Sequence, residues 1–338
     1  MANRDLVAIG TSAGGVEALM HLARSLPGNL PASVLVTIHL PSHSRSSLDE
    51  VLSRAGQLKA SFAAEGEAVK KGRIYLAPPG RHLLVHGERF ALGAGPRENN
   101  TRPSIDPMLR SAALCCGSRT IGVILTGTLG DGASGLWAVK QAGGITVVQD
   151  PGEAQFSEMP RTALKRTEPD HIVKLPDLPK LLESLVRQPA GEPTAIPDRI
   201  KREVEIARKG HSTMQEMDRI GRRSVLTCPD CDGVMWEIDE GNLIRYRCHQ
   251  GHAYTAEVMA IAMDESLRRA LGSSLRTLEE RIALIRKLHN QADERDSRLV
   301  AANWADKARD LEGEANVIRD SLRRIDEIVE KEEERENS

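Results

Sequence analysis

Apolar and polar positions follow two regimes along the chain. In the first half, short runs dominated by apolar and β-branched residues at 6–9, 33–39, 120–126 and 144–149 alternate with stretches in which apolar residues recur every three or four positions, as at Val16, Ala18, Leu19, Leu22 and Ala23. Short runs with no polar face predict strands buried on both sides, and the 3.6-residue period predicts helices between them. Further helices are predicted at 48–55, 106–115, 135–141 and 178–185 and within 154–164, with a last strand at 171–175. The implied class is α/β: an open, doubly wound, mostly parallel sheet with helices on both faces. Strand candidates at 59–62, 73–77, 82–86 and 89–92, broken by Gly66, Gly72, Gly80 and Gly87, predict a mixed or antiparallel insertion beside that sheet.

Past residue 187 the pattern changes. Residues 188–198 contain Pro189, Gly191, Pro193 and Pro197 without periodicity and read as a linker. The expected organisation is a first domain at 1–187, the linker, a helical connector at 199–223, a cysteine module at 224–255 and helices at 256–338. Leu271, Leu275, Leu278, Ile282 and Ile285 step by four and three, as do Ala308, Leu311, Ala315, Ile318, Leu322, Ile325 and Val329. Two such helices must bury their seams, on each other as an antiparallel hairpin or across a homodimer. The charged end at 330–338 is expected to be frayed and solvated.

Charge narrows the function classes. The 338 residues carry 46 basic and 48 acidic side chains, and aromatics make up 3%. That balance gives no basic field for nucleic acid and few stacking surfaces for bases. The N-terminus shows no signal peptide and the early apolar runs are too short to span a bilayer, so a cytoplasmic protein with no membrane insertion is expected.

Chemistry concentrates where strands end. The first strand runs into Gly10-Thr11-Ser12-Ala13-Gly14-Gly15, and Gly10-x-Ser12-x-Gly14 has the spacing of a nucleophile elbow, in which a serine stands clear of the backbone beside free helix N–H groups. A dinucleotide fingerprint would need glycine where Ser12 stands and an acid at the end of the second strand, which instead ends in His39. Asp131 follows another strand. A serine hydroxyl needs a base, and a carboxylate can fix that base's tautomer, so Ser12, His39 and Asp131 can form an acyl-transfer site. Singly, each could be a helix cap, a strand-end residue or a turn aspartate.

The segments Ala8-Ile-Gly-Thr-Ser-Ala-Gly-Gly15, Ile38-His-Leu-Pro41, Tyr75-Leu-Ala-Pro78, Arg102-Pro-Ser-Ile-Asp106, Gly122-Val-Ile-Leu-Thr-Gly127, Asp131-Gly132 and Met159-Pro-Arg161 occur in that order. Together they resemble the catalytic domain of CheB-type chemotaxis protein-glutamate methylesterases. The resemblance implies hydrolysis of glutamate γ-methyl esters on methyl-accepting chemoreceptors with release of methanol, often accompanied by glutamine deamidation, and no cofactor for catalysis. It implies Ser12 as nucleophile, His39 as base, Asp131 as orienting carboxylate, and the Thr128 main-chain N–H as part of an oxyanion hole. Response-regulator members carry an N-terminal receiver; this chain begins at the esterase's first strand, so a stand-alone form is expected. The rival classes are a non-catalytic adaptor that binds methylated receptor helices and a nucleotide-binding regulatory domain.

Cys228-Pro-Asp-Cys231 and Cys248-His-Gln-Gly-His252 flank a stretch that reads as strand, turn, strand. Two such knuckles on a hairpin are the plan of a zinc ribbon, with structural zinc on Cys228, Cys231, Cys248 and one imidazole. The longer return loop favours His252 over His249. The adjacent Cys115 and Cys116 are expected to be small core residues.

Overall fold

The computed structural model describes residues 2–40, 46–192 and 194–336, with no side-chain description at 329–336. The last two residues of the 330–338 tail lie outside the described residues, while the backbone at 330–336 is helical. The chain forms two compact units, Met1–Met259 and Ala260–Ser338.

In the first unit the buried runs become parallel strands. β1 (Leu6–Thr11), β2 (Ser33–Ile38), β3 (Lys59–Phe62), β4 (Arg73–Leu76), β7 (Thr120–Ile124), β8 (Ile145–Gln149) and β9 (His171–Val173) form one sheet in the order β3-β4-β2-β1-β7-β8-β9. Every pairing in it is parallel, with Leu6 opposite Ser33 on one side and Thr120 on the other. Successive strand residues feed opposite cores, as the two-residue pleat requires. Val7, Ile9, Val34 and Val36 pack with α1 (Gly15–Ser25), α2 (Leu48–Ala55) and α6 (Leu178–Val186). Leu6, Ala8 and Leu35 face α3 (Ile105–Cys116), α4 (Ala133–Gln141) and α5 (Glu158–Arg166).

The middle section differs from expectation. β3 and β4 extend the main sheet in parallel, and only β5 (His82–His86) and β6 (Arg89–Gly93) pair antiparallel. Ile74 lies in one core and Tyr75 in the other, which marks a strand covered on both faces.

The connector and cysteine module pack into this same unit. α7 (Asp198–Lys209), α8 (Met214–Met217) and the antiparallel strands β10 (Arg222–Thr227), β11 (Val234–Asp239), β12 (Ile244–Cys248) and β13 (Ala253–Thr255) follow the linker region. Ile206, Met217, Ile220, Trp236 and Ile238 form a small core there. Six buried charged groups join it to the sheet domain. Glu98 pairs with Arg110 of α3 and with Arg247 of β12; Glu203 of α7 pairs with Arg110, Arg245 and Arg247; Glu240 pairs with Arg245.

In the second unit, the remainder of α9 (Ala256–Glu294) and α10 (Arg298–Glu336) form an antiparallel hairpin, with Arg268–Asp326, Glu279–Arg319 and Arg286–Glu312 pairs along it. Ile282, Ile285, Ala308 and Ala315 are buried in the seam.

Candidate active site and metal group

Strand order reverses around β1, with β2 on one side and β7 on the other, and ligands bind such sheets beyond the carboxyl ends of the strands at this point. Ser12 follows β1, His39 follows β2, and Asp131 lies in the loop between β7 and α4. Gly14, at φ 72°, adopts the left-handed conformation that turns β1 into α1. Ser12 is thus presented on the elbow.

The three side chains meet in one relay. Ser12 Oγ lies 3.0 Å from His39 Nδ1, and His39 Nε2 lies 2.8 Å from Asp131 Oδ2. With the imidazole proton on Nε2 facing Asp131, Nδ1 presents its lone pair to the serine hydroxyl. The ring nitrogens are interchanged relative to the chymotrypsin template, but the roles open to each group are the same.

Asp131 is buried and heavily hydrogen-bonded. It accepts from Ser104 Oγ at 2.9 Å, from the Ile105 and Asp106 main-chain N–H groups at 2.7 and 3.2 Å, and from Asn99 Nδ2 at 3.0 Å. The two main-chain donors belong to the first turn of α3, where the helix dipole favours an anion. Burial pushes the carboxyl's pKa up, but the His39 bond and charge, the Ile105 N–H and the Asn99 amide outweigh it and hold the group at about 2. Neighbouring Asp106 moves the other way, to about 7, through burial and the charge on Asp131. Two adjacent buried carboxyls are thereby driven apart, and Asp131 carries the charge.

The β7–α4 loop passes close to the serine. A Cβ placed on Gly127 would stand 2.8 Å from Ser12 Cβ and 2.6 Å from Met159 Sδ, so only glycine lets the two backbones approach. The Gly127 N–H donates to Phe156 O and the Ser12 N–H to Thr126 O. The Thr128 N–H next along the loop has no hydrogen-bond partner among the described residues.

Asn99, Ser104 and the first turn of α3 are the parts that motif reading misses. Ser104 and Asp106 fall inside the Arg102–Asp106 motif without a role attached. Asn99 lies outside every motif, and an Asn99-Asn100 pair signals only a turn.

Cys228, Cys231, Cys248 and His252 place one ligand atom each within 4.8 Å of one another. Cys231 Sγ and Cys248 Sγ are 3.7 Å apart, and Cys248 Sγ is 3.5 Å from His252 Nδ1. Tetrahedral zinc with ordinary bond lengths requires S–S and S–N edges of about 3.8 and 3.5 Å, so the donor set fits that ion. His249 is outside the group and lies against Gly233, where an added Cβ would meet its ring at 3.0 Å. Asp230 Oδ2 sits 3.7 Å from His252 Nε2, on the side of the ring away from the thiols, and accepts from the Tyr254 hydroxyl at 2.8 Å.

Comparison with known proteins agrees with the fold and the motifs. The family model for CheB methylesterase matches residues 7–182, just over half of the chain. A Leptospira interrogans relative is 36% identical over 180 residues, which are 53% of this chain and 93% of that protein. The protein-glutamate methylesterase/protein-glutamine glutaminase of Pectobacterium atrosepticum is 38% identical over 179 residues, covering 52% of this chain and 51% of its own. The crystal structure of the Thermotoga maritima CheB methylesterase catalytic domain superposes with a TM-score of 0.52 at 33% identity, over 55% of this chain and all of that one. Residues 1–6 and everything past 182, including α7, α8, β10–β13, α9 and α10, lie outside the family match. On the sheet order, the strand-end site and these matches, the chain belongs to the CheB methylesterase family.

Proposed function

We propose that this protein is a serine esterase that removes methyl groups from glutamate γ-methyl esters on methyl-accepting chemoreceptors in the cytoplasm. The observation that carries the reading is the Ser12–His39–Asp131 relay at the topological switch point. As the Ser12 hydroxyl attacks the ester carbonyl carbon, His39 Nδ1 takes its proton and Asp131 stabilises the resulting imidazolium. The tetrahedral oxyanion faces the partner-free Thr128 N–H, in the role of an oxyanion donor. The imidazolium then gives its proton to the departing methoxide, and methanol leaves a glutamyl ester on Ser12. Water, deprotonated by His39, attacks that ester; the proton on His39 passes to the departing Ser12 oxygen, and the glutamic acid released gives its own proton to solvent to become the carboxylate. With a glutamine side chain the leaving group is ammonia and the remaining steps are unchanged.

No step in this sequence uses a metal or cofactor. The Cys228, Cys231, Cys248 and His252 group would hold zinc in a closed four-ligand site, which gives it a structural part.

The test is methanol release from a methylated chemoreceptor fragment. Wild type should release methanol, and Ser12→Ala, His39→Ala and Asp131→Asn should each lower the rate by about 10³-fold or more. Undiminished release by the folded Ser12→Ala protein would rule out Ser12 as the nucleophile.

A further inference from the structure

Asn99 ties the cysteine module to the esterase site. Asn99 Nδ2 donates to Asp131 Oδ1 at 3.0 Å and to Asp106 Oδ2 at 3.2 Å. Two further groups of Asn99 are bound to β13. Its main-chain N–H donates to Ala253 O at 2.7 Å, and its Oδ1 accepts from the Thr255 N–H at 3.1 Å. Asn99 is held at φ 51°, in the left-handed region that needs such outside support. A Cβ on Gly130, the residue before Asp131, would lie 3.6 Å from Thr255 Cγ2, so β13 also packs against the loop carrying Asp131.

β13 is in turn fixed by the ligand group. Ala253 directly follows His252, and the Cys248 N–H donates to His252 O at 2.9 Å in the tight connection between β12 and β13. Knuckles of this kind depend on their metal, because a hairpin with so small a core cannot hold four thiol and imidazole groups together unaided. Removing the ion frees the segment that ends in Ala253–Thr255, and with it the two anchors of Asn99.

We propose that metal bound at Cys228, Cys231, Cys248 and His252 aligns Asp131 through β13 and Asn99, making the module a positioning device of the esterase site. Asn99 is the positioning residue, acting on His39 and Ser12 only through Asp131. The inference rests on the serine-esterase reading of the site.

The experiment uses the full chain and a fluorophosphonate probe of Ser12, with the limiting labelling rate and the half-saturating probe concentration measured separately. Protein is compared as zinc-loaded, as metal-free after chelation under reducing conditions, and after Zn²⁺ is restored. Zinc content and circular dichroism are recorded throughout. The limiting rate should fall at least tenfold on zinc removal, with half-saturation changed less than twofold, and should recover on restoring Zn²⁺. Asn99→Ala should label slowly while still binding one zinc per chain, and removing its zinc should change the rate less than twofold. A metal-free wild type that labels as fast as the loaded protein overturns the proposal, as does an Asn99→Ala variant with the full metal dependence. Where chelation unfolds the chain, zinc-loaded Asn99→Ala decides alone: a tenfold slower limiting rate supports the proposal, and a wild-type rate overturns it. No labelling of zinc-loaded wild type would instead remove the serine-esterase reading, and the proposal with it.

Discussion

Glu203→Gln tests whether the buried charges lock the cysteine module to the sheet domain. Glu203 accepts from Arg245 at 2.8 and 2.9 Å and from Arg247 at 3.1 Å, with Arg110 at 3.4 Å. Glu98, Glu203 and Glu240 face Arg110, Arg245 and Arg247, all six at most 3% exposed, and Glu240 also meets Arg166 and Arg199 at 3.8 and 3.6 Å. Glutamine keeps the shape but leaves one uncompensated cation in the interior, a change that costs about 3–5 kcal/mol. For a unit of this size that corresponds to a fall of roughly 6–20 °C in melting temperature. Burial pushes the Glu203 carboxyl up, but Arg245, Arg110 and Arg247 overcome it and hold the group well below the ordinary glutamate range. A depressed carboxyl contributes its stability above its unfolded pKa and loses it only as pH falls below, so the deficit should be flat from pH 5 to 9. The control is Glu237→Gln, which breaks a 2.6 Å pair to Arg222, whose side chain is 80% exposed. Such pairs are worth up to about 1 kcal/mol. Scanning calorimetry on both variants checks the argument. A Glu203→Gln shift no larger than the control's would mean that the cluster is well solvated and does not lock the module.

Two further outcomes follow from the site geometry. Asp131, held at about 2, should contribute roughly 2 kcal/mol through its ionisation above pH 4 and lose it as pH falls toward 2. The stability gap between wild type and Asp131→Asn, measured by urea titration, should therefore narrow over that range; a constant gap would mean that Asp131 is not stabilised as an anion. Gly127→Ala places a methyl group 2.8 Å from Ser12 Cβ. It should cost about 1–3 kcal/mol of stability and lower kcat for ester hydrolysis at least tenfold. An unaffected kcat would show that the loop gives way without moving the serine.

How much was legible in the sequence depends on how local each signal is. Residues 6–9 and 33–39 announce buried parallel strands because apolar residues dominate both faces, and Ser12, His39 and Asp131 are visible because Ser12 and His39 follow strand ends and Asp131 lies in a loop leaving a third, at the edge where such sheets work. Cys228, Cys231, Cys248 and His252 are legible by their spacing, which is that of a four-ligand metal group. The parallel entry of β3 and β4 is not, since short strands between glycines look alike whether they pair beside the sheet or within it. Asn99 is the harder case. Its Oδ1 meets an N–H 156 residues later in the chain, so no window of sequence contains the interaction. The same holds for Glu203, whose partners Arg245 and Arg247 lie 42 and 44 residues away on a strand of the module. In the sequence the module follows a proline-rich linker and looks separable. In the fold, the residues that join it to the esterase are buried polar groups whose partners lie across that boundary, and such groups are costly wherever one partner is withdrawn. The contacts therefore run from β12 and β13 to Glu203 and, through Asn99, to Asp131, across a boundary that composition alone would draw.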